Sequence, residues 1–97
     1  MDITRTHVSI LRKVQDGHVG WEPNPKARGF TRRMSSGIQR RYQPTGEHLH
    51  ELIALWQLKF GGFIAPAKAD VPGPVVLTGL GVAELHGSEP SDDRRSA

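Results

Sequence analysis

His7, Ile10, Leu11 and Val14 recur at the spacing of one helical face, and Val8 widens it. The pattern predicts a helix over 2–15, capped by Thr4 or Thr6, whose hydroxyl accepts a free backbone N–H of the first turn. Asp16-Gly17 closes it, since glycine takes the left-handed cap conformation freely. His7 lies on the apolar face and reads as a hydrogen-bonded core residue. Over 18–22 the period changes to two, with Val19 and Trp21 on one side, which predicts a short strand. Pro23-Asn24-Pro25 breaks regular structure. From Lys26 to Pro44 the pattern is weakest. Phe30 and Thr31, then Ile38 and Tyr42, favour strand about the turn signal Ser35-Ser36-Gly37. The segment reads either as a hairpin with arms 30–33 and 38–42 or as a loop with some helix.

The strongest helical stretch runs from Thr45 to Phe60. Leu49, Leu52, Ile53, Trp56 and Phe60 form an apolar stripe with Leu55 and Leu58 beside it, and Gly61-Gly62 ends it. Trp56 and Phe60 are expected in the core, and with Leu49, Leu52, Ile53 and Phe63 they are expected to hold the fold. Residues 63–69 form a strand whose Pro66 marks it as a sheet edge or as a strand with a distorted middle. Asp70-Val71-Pro72-Gly73 is a tight turn, and 74–77 is the returning strand. Thr78 caps a last helix over 79–86, with Leu80, Val82 or Ala83, and Leu85 facing inward. Its two glycines lower its intrinsic stability by about 1 kcal/mol each, so packing must hold it. Residues 88–97 are polar and expected to be disordered.

The 97 residues suit a single domain, here 1–87, and 36% hydrophobic residues give it a lean core. With no cysteine, a disulfide framework, a zinc ribbon and a thiol nucleophile are excluded. No apolar run approaches the roughly 20 residues of a membrane span, and the N-terminus has no continuous apolar core of a secretory signal. A cytoplasmic protein without a membrane role is the expectation. Eleven glycines and seven prolines imply short elements and many turns.

The order is helix, strand, variable segment, long helix ending in Gly-Gly, hairpin and closing helix. It resembles a winged-helix domain. The resemblance rests on Leu55-Trp56-Gln57-Leu58-Lys59-Phe60-Gly61-Gly62-Phe63-Ile64, similar to that family's junction of long helix and first wing strand. It rests also on Val75-Val76-Leu77-Thr78-Gly79-Leu80-Gly81-Val82-Ala83-Glu84-Leu85, similar to the Leu-Thr-x-x-Gly-x-x-x-Leu that closes the wing in small bacterial or phage regulators. It spans 2–86 and implies an α+β fold: two or three helices on a small antiparallel sheet, with a C-terminal β-hairpin wing. One departure stands out. Where the family has a second helix, this chain has the proline-flanked segment 26–44.

Charge gives that segment a meaning. Basic residues exceed acidic ones by three over the whole chain. They concentrate before Pro44, and from Lys26 to Gln43 six bases (Lys26, Arg28, Arg32, Arg33, Arg40, Arg41) stand without an acid. Such a concentration suits a polyanion. The long helix is a poor groove reader, because its outward face is expected to show Glu47, His48, His50, Glu51 and Gln57, and carboxylates repel phosphate. Gln57 there could read adenine and the histidines could donate when protonated, which makes a weak base-reading set. The wing offers Lys68 against Asp70. The expectation is therefore a double-stranded-DNA-binding protein, a transcriptional regulator or accessory protein of a mobile element. Arg32, Arg33, Arg40 and Arg41 grip phosphates as a cluster on facing hairpin arms, supported by Lys26, Arg28, Gln57 and Lys68. The alternative is a protein–protein module of the same fold whose basic arm docks an acidic partner. Phe30 and Tyr42 are candidates for stacking on bases or filling a dimer seam, and a domain this small with a proline-bearing edge is open to homodimerisation. No catalytic residues, cofactor or metal site is expected. His48 and His50, two apart on a helix, point to different faces, and no nucleophile motif or dinucleotide loop is present.

Overall fold

A computed structural model of the chain describes residues 2–26, 28–34, 36–46 and 48–88. Glu47 and the tail expected at 88–97, apart from the backbone of Ser88, lie outside the described residues. The architecture is α+β. Three helices, α1 (Arg5–Gln15), α2 (His48–Phe60) and α3 (Gly79–Ser88), accompany five strands, β1 (Val19–Glu22), β2 (Gly29–Arg33), β3 (Gln39–Arg41), β4 (Ile64–Pro66) and β5 (Gly73–Leu77). The strands form one antiparallel sheet in the order β3-β2-β1-β5-β4. No helix among the described residues is long and apolar enough to cross a membrane.

Thr4 caps α1, and the cap is reciprocal. The His7 N–H donates to Thr4 Oγ1 at 3.3 Å, while the Thr4 N–H donates to His7 Nδ1 at 2.9 Å. Histidine thus fills the place that Glu or Gln takes in a capping box. With Nδ1 accepting, the ring proton belongs on Nε2, which donates to Gln57 Oε1 of α2 at 2.8 Å. The buried face of α1 is His7, Ile10, Leu11 and Val14, as the periodicity predicts. Gly17, at φ +81°, turns the chain into β1.

The variable segment is a hairpin. Strands β2 and β3 pair with Thr31 opposite Arg41, Arg32 opposite Arg40 and Arg33 opposite Gln39. β3 is an edge and is exposed throughout. At the other edge β4 ends on Pro66, where a missing N–H costs no ladder bond. The hairpin β4–β5 is joined to the rest of the sheet by β5, through Gly20 opposite Pro74 and Trp21 opposite Gly73.

The orientation of α2 corrects the expected core. Ala54, Leu55 and Leu58 are its buried residues, whereas Ile53 is 45% and Phe60 78% exposed; Leu49, Leu52, Trp56 and Phe63 are half-buried. The helix starts at His48, three residues later than expected, after a turn in which the Leu49 N–H donates to the Gly46 carbonyl. Contacts on two flanks fix its rotation. On one flank α1 holds it through His7–Gln57 and through Lys13–Glu51 at 2.8 Å. On the other, Trp56 packs edge to face on Phe30 of the sheet at 4.9 Å. Ile53 and Phe60 of the expected stripe are left outside. Likewise, among the described residues of α3 only Leu85 and Gly81 are buried, and Leu80 and Val82, expected inward, are 59% and 40% exposed. Phe30 and Tyr42 are core residues at 2% and 5% exposure, which removes them as base-stacking or dimer-seam residues.

Candidate nucleic-acid interface

Alternation along the paired strands sorts the arginines of the arm onto two faces. Arg32 and Arg40 are opposite one another on the side that carries Phe30 and the helices. Arg33 and Arg41 lie diagonally on the open side, with Thr31 and Gln39 between them. The expected cluster of four guanidiniums is therefore two pairs, one per face of an edge ribbon. Arg33, Arg40 and Arg41 are exposed, while Arg32 is half-buried. Its Nη1 donates to His48 Nε2 at 2.6 Å, which ties the arm to the start of α2.

Behind Arg32 lies a small polar network. Tyr42 packs edge to face on His48 at 6.0 Å. Its hydroxyl is pushed up to about 12, first by burial and then by the nearby charge of Glu51, to which it also donates; Arg32 acts in the opposite direction. Glu51 in turn holds Lys13. Lys13, Asp16, His18, Arg32, Arg33 and Tyr42 line a cleft of about 280 Å³ at the root of the arm. Lys13 and His18 are thus cationic or polar neighbours of the arm that sequence reasoning missed. Nothing in the sequence signals their closeness, which comes from α1 leading directly into the strand next to β2.

The open face of the arm has a shallow cleft of about 430 Å³, lined among others by Gly20, Thr31, Arg33, Gln39 and Pro74. Thr31 Oγ1 donates to Gln39 Oε1 at 3.0 Å. The two side chains lie across Gly20, where a Cβ would stand 2.6 Å from Thr31 Oγ1. This glycine lets polar groups fold flat against the sheet.

The other expected site residues fall elsewhere. Lys26 and Arg28 sit at the β1–β2 turn, and Lys68 in the β4–β5 loop. Antiparallel pairing puts both connections at the end of the sheet opposite the β2–β3 turn. The Trp21 indole N–H, donating to the Ala69 carbonyl at 3.3 Å, joins them there. Gln57 belongs to the α1–α2 contact, where His7 occupies its Oε1. The outward face expected for α2 is also revised. His48 faces Arg32, and Glu51 faces Lys13 and Tyr42, while His50 and Gln57 are exposed as expected, so the outer surface of the helix mixes these two polar residues with Ile53 and Phe60.

Among the described residues no group of three or more His, Asp or Glu is placed to hold a metal ion. Comparison with protein-family models, with curated proteins and with solved structures gives no match in any of the three.

Proposed function

We propose that this chain is a small DNA-binding protein, a transcriptional regulator or mobile-element accessory protein, that grips duplex phosphates through the β2–β3 arm. The observation that carries this reading is the arm itself: an exposed edge strand, β3, paired to β2, with arginines on both faces and no acid from Lys26 to Gln43. Because β2 is also paired to β1, the arm would meet a duplex as the edge of the sheet, with β3 outermost. Arg33 and Arg41 on one face, Arg40 on the other and Arg28 at the foot of β2 are its phosphate ligands. Arg32, held by His48, stiffens the arm.

The winged-helix resemblance fits the order α1, β1, α2, β4–β5, α3, with the arm standing where the family has its second helix. Docking would differ accordingly. The outer surface of α2 sets Ile53 and Phe60 beside His50 and Gln57 and carries no exposed Lys or Arg, which suits a groove poorly, and the β4–β5 hairpin in the wing position brings only Lys68 beside Asp70.

The test is fluorescence anisotropy of a random-sequence duplex, wild type beside Arg40→Ala/Arg41→Ala. Four phosphate contacts give a slope of about −3.6 in log K against log salt, so affinity falls about 150-fold between about 50 and 200 mM. With two contacts removed the fall shrinks to about 12-fold. Absence of duplex binding at the lower salt, or binding that ignores salt, refutes the proposal. An acidic protein partner for the arm would then take its place.

A further inference from the structure

The end of the sheet that carries the β1–β2 turn and the β4–β5 loop holds a group of rings that core formation does not fully explain. Trp21, Phe30 and Trp56 meet edge to face with centroids 5.3, 5.9 and 4.9 Å apart. Trp21 and Phe30 are buried, as core residues should be. Phe60 extends the group outward. It stacks on Trp56 at 5.7 Å with an interplanar angle of 26°, yet it is 78% exposed. A ring held in place on one side and open to water over most of its area is ready for another planar partner.

One cation lies at the ring and two more belong to the segments packed on its neighbours. Lys59 Nζ lies 5.3, 5.4 and 5.8 Å from the centroids of Phe60, Trp21 and Trp56. Arg28 immediately precedes Gly29, whose backbone lies over Trp56, so close that a Cβ there would be 3.9 Å from Cζ2. Lys68 is next to Ala69, the acceptor of the Trp21 indole N–H. The acids of this end are Asp70 and Glu22, and Glu22 accepts the Asn24 N–H at 3.1 Å.

The geometry points to Phe60 as a stacking platform for an unpaired base of single-stranded nucleic acid, with Lys59, Arg28 and Lys68 meeting the adjoining phosphates. Stacking is tolerant of sequence because every base has a π-face, and paired with cations that follow the backbone it makes a single-strand site. A second copy of this chain is the less favourable occupant, since pairing two such ends opposes like charges. Of these residues Arg28 is shared with the proposed duplex contacts, whereas Phe60 and Lys59 take no part in them, so a Phe60 variant tests this site separately from duplex binding.

Both tryptophans of the chain belong to this group of rings, so intrinsic fluorescence reports on it directly. The probes are a short oligo(dT) and an abasic oligonucleotide of equal length, titrated into the full chain at low salt. Oligo(dT) is expected to quench the tryptophans and to bind more tightly than the abasic strand. Phe60→Leu, which keeps an apolar side chain but removes the π-face, is expected to lose roughly tenfold in oligo(dT) affinity while its duplex binding and melting temperature stay as in wild type. Equal binding of oligo(dT) and abasic strand by the wild type overturns the proposal without recourse to any variant. So does unchanged oligo(dT) affinity in Phe60→Leu. A concentration-dependent dimer whose formation abolishes the quenching would assign this end to self-association instead.

Discussion

Gly81 is the position where a single added methyl group should do most damage for its size. In α3 it faces the start of β4. A Cβ there would stand well inside van der Waals contact of the Phe63 carbonyl oxygen, 3.1 Å from the carbonyl carbon and 3.4 Å from Leu77 Cβ. The carbonyl cannot easily retreat, because it accepts the Thr78 N–H at 3.0 Å. The helix is pinned as well. Thr78 Oγ1 accepts the Gly81 N–H at 3.2 Å and donates to the Gly62 carbonyl at 2.5 Å. Two effects oppose each other in Gly81→Ala. Helix propensity favours alanine by about 1 kcal/mol. Overpacking costs roughly 1–3 kcal/mol, and an obstructing backbone atom puts this site at the upper end. The net loss is about 2 kcal/mol, which lowers Tm by about 8–16 °C in a domain of this size. Gly87→Ala in the same helix is the control: nothing lies within 4 Å of its Cβ position. It should raise Tm by a few degrees, from propensity alone. Thermal unfolding followed by circular dichroism compares the two. If Gly81→Ala melts at or above the wild-type temperature, the close approach of α3 to β4 is wrong.

Two further outcomes are expected. His7→Ala removes both the acceptor for the Thr4 N–H and the donor to Gln57, so it should cost about 1–2 kcal/mol in urea unfolding; His7→Gln, which restores an acceptor at the capping-box position, should recover part of that. Tyr42, the single tyrosine of the chain, should form its phenolate only near pH 12, against an ordinary value of 10.0, as burial and Glu51 disfavour the charged form. Its pKa is higher folded than unfolded, so its contribution to stability is complete below pH 10 and lost as pH rises from 10 through 12. A phenolate absorbance titration checks this, and a midpoint near 10 in the folded protein would contradict the burial of the hydroxyl.

The element order was legible because it depends on local signals. The face of α1, the closure at Asp16-Gly17, the end of α2 at Gly61-Gly62, the edge position of Pro66 and the cap at Thr78 all follow from side chains acting on their own backbone. The arm, with Ser35-Ser36-Gly37 between β-favouring residues, was legible only as either a hairpin or a loop with some helix, and the pairing of β2 with β3 decided it. Its four arginines were legible as bases, but their division between two faces depends on which residues pair. A one-residue change of register exchanges the faces.

The inward face of α2 was not legible. Leu49, Ile53, Trp56 and Phe60 make one apolar stripe, and Ala54, Leu55 and Leu58 make another beside it. Periodicity shows that such a helix is buried somewhere without saying which stripe turns inward, because the hydrophobic effect is non-directional. Contacts far apart in sequence decide it: His7 with Gln57, Lys13 with Glu51, Trp56 with Phe30. By itself the sequence determined the elements, their order and the acid-free basic run. Only the tertiary structure decided that Lys13 and His18 stand beside the arm, that Lys26, Arg28 and Lys68 gather at the opposite end, and that Phe60 faces water. Local backbone chemistry acts over a few residues, whereas the facing of helices and the meeting of charges are settled when the whole chain packs.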